Sequence, residues 1–368
     1  MEKRPKLEDF LLRERGSMDT EKKAVESKPN KSKYGIGFDI GTGFLVSSYF
    51  EGSDLKYKSI RNCFVTIDKK LFRPSLFGNT VSYIDRGDDI VIVGDDAMEF
   101  AKIRNTAAQR PIASGIINPN ERESVSILKE IFSHMIKPCI KTLNEKLVFS
   151  VPGKNIGNPD FDVSYHTMSL QSLCKSFGVE AEPINEAYAV AISEIGGSTS
   201  PLTALSFSFG AGLVNICLTY KGIPLFEFCI DKSGDFIDKQ AAKGVGESES
   251  VMCHIKEKEL DLAASEYKVS PEERALMFSY KFVVRNTLLE VKHAFTQTKN
   301  VRILEEIPII LSGGTITVKG FLDLFKSELE ATPLPFKVGS ITFAKEPLRA
   351  VARGCLLDAS SRYNEESS

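Results

Sequence analysis

The stretch SFSFGAGLVNICL, residues 206–218, decides how the rest of the chain is read. Apolar residues flank a Gly-x-Gly turn, the pattern of a strand that bends sharply and returns. Glycines at such a bend let backbone amides approach an anion that a β-carbon would crowd. Phosphate chemistry usually sets a carboxylate beside the bend to hold a metal, but position 208 is a serine. A nucleotide loop without its metal anchor and a buried hairpin both remain open here. A second bend adds weight to the first alternative. YGIGFDIGTGFLVSSYF, residues 34–50, repeats strand, glycine turn and strand, with Asp39 just before Gly41, Thr42 and Gly43. Two such units, each followed by helix-like segments, suggest a duplicated domain with a nucleotide held between the halves.

Composition narrows the class. A chain of 368 residues exceeds a typical single domain, so two lobes are expected. Hydrophobic residues at 42% and charged residues at 26% are globular values, and the net charge of −2 argues against nucleic acid as a partner. No apolar run approaches the ~20 residues that span a bilayer, and no signal peptide opens the chain. The seven cysteines form no CxxC pair, and the four histidines show no paired spacing. Buried thiols in a reducing compartment are therefore expected rather than disulfides or structural zinc. The expected location is the cytoplasm, with a peripheral position at the inner face of the membrane as an extension of it.

Residues 1–33 are highly charged and read as a disordered tail. Within them KLEDFLLRER, residues 6–15, either forms a short helix that docks on a membrane surface or protein partner, or is solvated chain. The body alternates strand-like and helix-like patterns, indicating an α/β architecture. Short apolar runs at 88–94, 146–152, 203–220 and 307–314 read as strands. Helices are expected at 124–140, 166–178, 185–197, 319–329 and 347–359, with a charged helical region over 235–298. The end of the chain reads as a second tail.

The order of FDIGTGFL (38–45), INEAYAVAI (184–192), SFSFGAGLVN, IILSGGTITVKGF (309–321) and LRAVARGCL (348–356) carries more than any one of them. These segments resemble the phosphate-1, connect-1, phosphate-2, adenosine and connect-2 motifs of the actin-like ATPase superfamily. QRPIASGII (109–117), VGDDAMEFA (93–101), KSGDFIDKQ (232–240) and GESESVMCHIKE (246–257) further resemble MreB-like prokaryotic actin homologues. The resemblance implies a duplicated ribonuclease H-like fold with two lobes flanking a nucleotide cleft. Lobe I would span 34–184 and lobe II 185–346, with a connecting helix at 347–360 returning to lobe I and a tail at 361–368.

The resemblance also implies a site for ATP and Mg²⁺. Asp39, a hard oxygen ligand, would hold the metal. Gly41, Thr42 and Gly43 would cradle phosphate from one side, and Gly210, Ala211 and Gly212 from the other. Gly234 would join them, and Gly313, Gly314 and Thr315 would receive the nucleoside. Chaperone relatives place a basic residue where Thr317 stands, which favours the filament branch. Glu186 matches the connect-1 glutamate, and His166 falls where MreB-like proteins carry a water-activating glutamate. Both are candidate catalytic groups; the structural alternatives are a helix-start hydrogen bond for His166, which sequence favours over catalysis, and a helix-cap role for Glu186. The family aspartate falls on Ser208, and Asn215 stands at another often acidic position, so ATP binding is expected with at most slow hydrolysis. Glu249 and Lys256 are candidates for ribose contact or for a solvated helix face. The expected function is a cytoskeletal protein whose copies associate head to tail into filaments. A non-polymerising regulatory or chaperone-like ATPase and a catalytically idle scaffold are the alternatives.

Overall fold

The computed structural model describes residues 35–70, 81–104, 106, 108–140, 145–158, 160–196, 201–298 and 303–366. The expected N-terminal tail, with its 6–15 segment, lies outside these residues. Two sheets carry the architecture. The first is built from β1 (Ile36–Ile40), β2 (Phe44–Glu51), β3 (Asp54–Arg61), β4 (Lys146–Val151) and β5 (Glu180–Asn185), in the order β5-β4-β1-β2-β3. The second contains β6 (Ala204–Phe209), β7 (Val214–Tyr220), β8 (Ile223–Ile230), β9 (Ile307–Ser312) and β10 (Val338–Phe343), in the order β8-β7-β6-β9-β10.

The two sheets repeat one plan. In each, a central strand pairs antiparallel with its hairpin partner and parallel with a strand from much later in the sequence. The central strand ALSFSF is buried along its whole length: Leu205, Phe207 and Phe209 lie in the apolar core, and Ser206 on the other face bonds to the helix that crosses it. The repetition expected from the glycine bends is thus a repetition of whole-sheet topology. One crossing ties the halves: Lys154–Asn155 pairs in parallel with the outer strand β8, so chain from the first half extends the second sheet.

Each half has its own apolar core, and a seam of small residues joins them, including Ala189, Ala204, Ala350 and Ala359. The helices Glu186–Ile195 and Ala350–Glu366 cross there in direct contact. A β-carbon on Gly354 would lie 1.8 Å from the carbonyl oxygen of Ala189, so the crossing requires glycine. Side-chain hydroxyls stitch the seam to the sheets: Ser48 donates to the Ala352 carbonyl at 2.7 Å, and Ser206 to that of Ala187 at 2.6 Å.

The helix expected at 124–140 ends at Ile136 and passes into a short 3₁₀ turn at Lys137–Cys139, where Pro138 cannot continue the α-helical ladder. The charged region over 235–298 resolves into helices Gly234–Val245, Glu249–Lys258 and Pro271–Gln297, the last opened by a Ser270–Glu273 capping box. The terminal helix runs to Glu366, so residues 361–366, expected as tail, continue it. All seven cysteines are free thiols.

Candidate functional site

A cleft with a cavity volume of about 360 Å³ lies between the halves, within the size range of small-molecule sites. Both glycine bends line it. They are built alike: Gly41 donates its N–H to the Phe44 carbonyl at 3.0 Å, and Gly210 donates to that of Leu213 at 2.9 Å. The flanking residues pair in the same way, Ile40 with Leu45 and Phe209 with Val214. A β-carbon on Gly43 would sit 3.3 Å from that of Ala211, so the bends approach within van der Waals distance.

Every expected cofactor residue lines this cleft: Gly41, Thr42, Gly43, Gly210, Ala211, Gly212, Gly234, Gly313, Gly314 and Thr315, together with Asp39. Hydrogen bonds hold the loops in register. Thr42 Oγ1 accepts from the Gly115 N–H at 2.8 Å, and the Asn62 side-chain amide donates to the Thr42 carbonyl at 2.8 Å. On the opposite wall the Gly210 carbonyl accepts from Ser233 at 2.6 Å and Thr315 at 2.8 Å, drawing the second bend, the helix at Gly234 and the Gly313–Thr315 turn together. Arg110 reaches from the first half to Asp235 at 2.6 Å, and Arg61 to Glu257 at 3.7 Å. Arg110 lies in the QRPIASGII segment, and its bridge to Asp235 exists only in the folded chain.

The carboxylates fall between the bends. Asp39 Oδ1 accepts from Ser150 Oγ at 3.0 Å. Glu186, first residue of a helix capped by Asn185, accepts from Ser208 Oγ at 2.6 Å and from Asn215 Nδ2 at 2.8 Å. Burial pushes both acids above the usual carboxylate range; for Glu186 the nearby Asp39 charge adds to the shift, and the Ser208 hydrogen bond opposes it. Two carboxylates that repel one another in a low-dielectric cleft are suited to a shared cation. Lys256 is nine-tenths buried, donating to Asp238 Oδ2 at 2.6 Å and to the Gly234 carbonyl at 3.1 Å, rather than lying on a solvated face. Glu249 opens its helix and does not line the cleft.

His166 is not brought to the cleft. It lies on the buried stripe of helix Val163–Lys175 with Leu170 and Cys174, and only 1% of it is exposed. Its Nδ1 accepts from the Ile117 N–H at 3.1 Å, and burial pushes its pKa down to about 4. The ring is a neutral structural acceptor, so the expectation of a water-activating base at this position is corrected. The four-residue spacing to Leu170 was the sequence signal for its inward direction.

A family model described as Volactin matches residues 34–359. A MamK-like protein of Paramagnetospirillum magneticum is 23% identical over 356 residues, spanning 87% of this chain and 93% of that protein. The solved structure of the MamK double helical filament is similar with a TM-score of 0.67 and 15% identity, over 90% of this chain and 98% of that one. MreB5 of Spiroplasma citri bound to AMPPNP is similar with a TM-score of 0.63 and 14% identity, over 92% and 99%. The fold is that of the actin-like ATPases.

Proposed function

The chain belongs to the Volactin family, and from that premise we propose that it is an ATP-binding cytoskeletal protein of the actin and MreB type. Its copies associate head to tail into nucleotide-dependent filaments, and its hydrolysis of ATP is slow. The observation that carries this is the pair of matched glycine bends, one from each sheet, lining a single cleft with Asp39 and Glu186 between them. The similar MamK structure is of a filament, and the similar MreB5 structures hold AMPPNP or ADP.

In this proposal residues 34–184 and 185–346 act as lobes, and the helix beginning near 347 returns to the first. The phosphates are held by Gly41–Gly43 and Gly210–Gly212 with Gly234 at a helix N-terminus, where backbone amides favour negative charge. Gly313, Gly314 and Thr315 receive the nucleoside. Among the described residues no cluster of three or more His, Cys, Asp or Glu forms a metal cage. Mg²⁺ is commonly held by one or two carboxylates with phosphate and water completing its shell. Asp39 and Glu186 would hold it, and the bound ATP would supply the bond whose cleavage loosens the closed cleft. The proposed location is the cytoplasm, with residues 6–15 as a contact for a membrane surface or partner; among the described residues no helix is long and apolar enough to cross a membrane.

Sedimentation with ATP, ADP and no nucleotide, with phosphate release followed in the same tubes, tests the proposal. Pelleting above a critical concentration with ATP supports the filament; a constant monomer or dimer at every ATP level refutes it. The neutral Ser208 and Asn215 favour one second reading, a scaffold that holds ATP without cleaving it. Binding with no phosphate release would identify that case.

A further inference from the structure

Ser208 and Asn215 look in the sequence like separate losses of acidic residues; in the structure they form one device. They are cross-strand partners on β6 and β7, 2% and 1% exposed, and both side chains end on Glu186. The Asn215 amide has its orientation set from behind. Its Oδ1 accepts from the Gly153 N–H at 3.1 Å, which leaves Nδ2 to face Glu186. An aspartate at 215 would satisfy Gly153 and repel Glu186. An ionised aspartate at 208 would have no proton to give. Neutral donors at both positions are what a fixed Glu186 requires.

We propose that Ser208 and Asn215 are positioning residues that lock the Glu186 carboxylate, so that Glu186 stands in for the acid missing from the second bend and faces the divalent cation of the bound nucleotide together with Asp39. This rests on the nucleotide reading above. Each Glu186 oxygen receives one donor from the clamp and keeps a further lone pair for the cation or its water. The hydroxyl and amide act only through Glu186, as outer-shell partners that orient a metal ligand do elsewhere.

Calorimetric titration of the full chain with ATP in Mg²⁺, in Mn²⁺ and in EDTA reads the gain in affinity that the metal provides. The Ser208→Ala/Asn215→Ala variant should lose about tenfold or more of that gain, the usual effect of removing outer-shell partners, with its affinity in EDTA little changed. Asn215→Asp, which is isosteric and keeps the Gly153 contact, should lose it as well. Ser208→Thr, which keeps the hydroxyl, should retain it. Glu186→Gln should lose the gain by itself, and adding the double substitution should then change nothing. Circular dichroism melting confirms that each variant is folded. A full metal-dependent gain in the double variant or in Glu186→Gln overturns the clamp while leaving ATP binding intact. An equal loss in EDTA also overturns it, because the cleft as a whole has then collapsed. Failure of the wild-type chain to bind ATP in any condition refutes the nucleotide reading itself, and the clamp with it.

Discussion

The two glycine bends are the same turn set in two different chemistries. Asp39 stands next to the first bend, opposite Val46 on its hairpin partner, and takes a hydrogen bond from Ser150 on the parallel neighbour strand. Ser208 holds the matching place at the second bend, opposite Asn215 and beside Ser312. Ser312 turns away and donates to the Pro347 carbonyl at 2.8 Å. The first half therefore carries its own carboxylate and steadies it with a serine. The second bend carries none and fastens two neutral donors to Glu186 of the adjoining helix. The shared backbone geometry follows from the glycines and the strand pairing, whereas the charge at each bend depends on which side chains the surrounding elements deliver.

The largest expected effect concerns acid and one buried histidine of the first half. The second half's His254 and His293 are exposed, whereas His166 in the first is buried with its pKa pushed down to about 4 from 6.5. Between those pH values the unfolded chain takes up a proton that the folded chain cannot hold. The His166 contribution to stability is therefore full above the unfolded value and falls as pH drops through this window, by about 3 kcal/mol in all. Asp39 and Glu186, whose raised values add stability as pH falls, oppose this contribution in the whole protein. Denaturant titrations of wild type and His166→Gln side by side isolate it: the stability of wild type relative to the variant should fall by about 3 kcal/mol from pH 7 to pH 4.

A smaller effect sets the two acidic arrangements against each other. Asp39→Asn should weaken ATP binding in Mg²⁺ by about 2 kcal/mol, roughly thirtyfold, since a charged contact is lost. Ser208→Ala should weaken it by several-fold at most, because Asn215 still holds Glu186; equal losses would erase the distinction between the bends. Next comes Ser208→Asp. From the sequence alone this change should restore the missing acid and speed phosphate release. The structure instead sets the new carboxylate against Glu186, where Ser208 Oγ now lies 2.6 Å away. Without divalent cation the variant should lose about 1–2 kcal/mol of stability and regain part of it with ATP and Mg²⁺, as a melting curve would show. The smallest effect belongs to Ser150→Ala. Its hydroxyl accepts from the Ile40 N–H and donates to Asp39, each at 3.0 Å, and its loss should destabilise the first half by about 1 kcal/mol in chemical denaturation.

Much of the fold was legible where the residues are buried on every side. The runs at 34–50, 203–220 and 307–314 became β1, β2, β6, β7 and β9 because central strands are mostly buried along their length and so are rich in apolar residues. The strands DLKYKSIR and VGSITF lie at sheet edges, half solvated, and their mixed polarity hid them from an apolar search. In the site, the residues of the glycine turns could be named in advance because a bend needs glycine locally. His166 was misplaced because its direction depends on which face of its helix meets the core.

The sequence by itself determined the two glycine bends, their order among the connecting helices and the absence of an acid beside the second, all of which are properties of short segments. Only the tertiary structure decided that Glu186 meets Ser208 and Asn215, that Gly153 orients the amide between them, and that Arg110 bridges to Asp235. Those contacts join residues far apart in the chain, and their geometry follows from strand register and helix crossing.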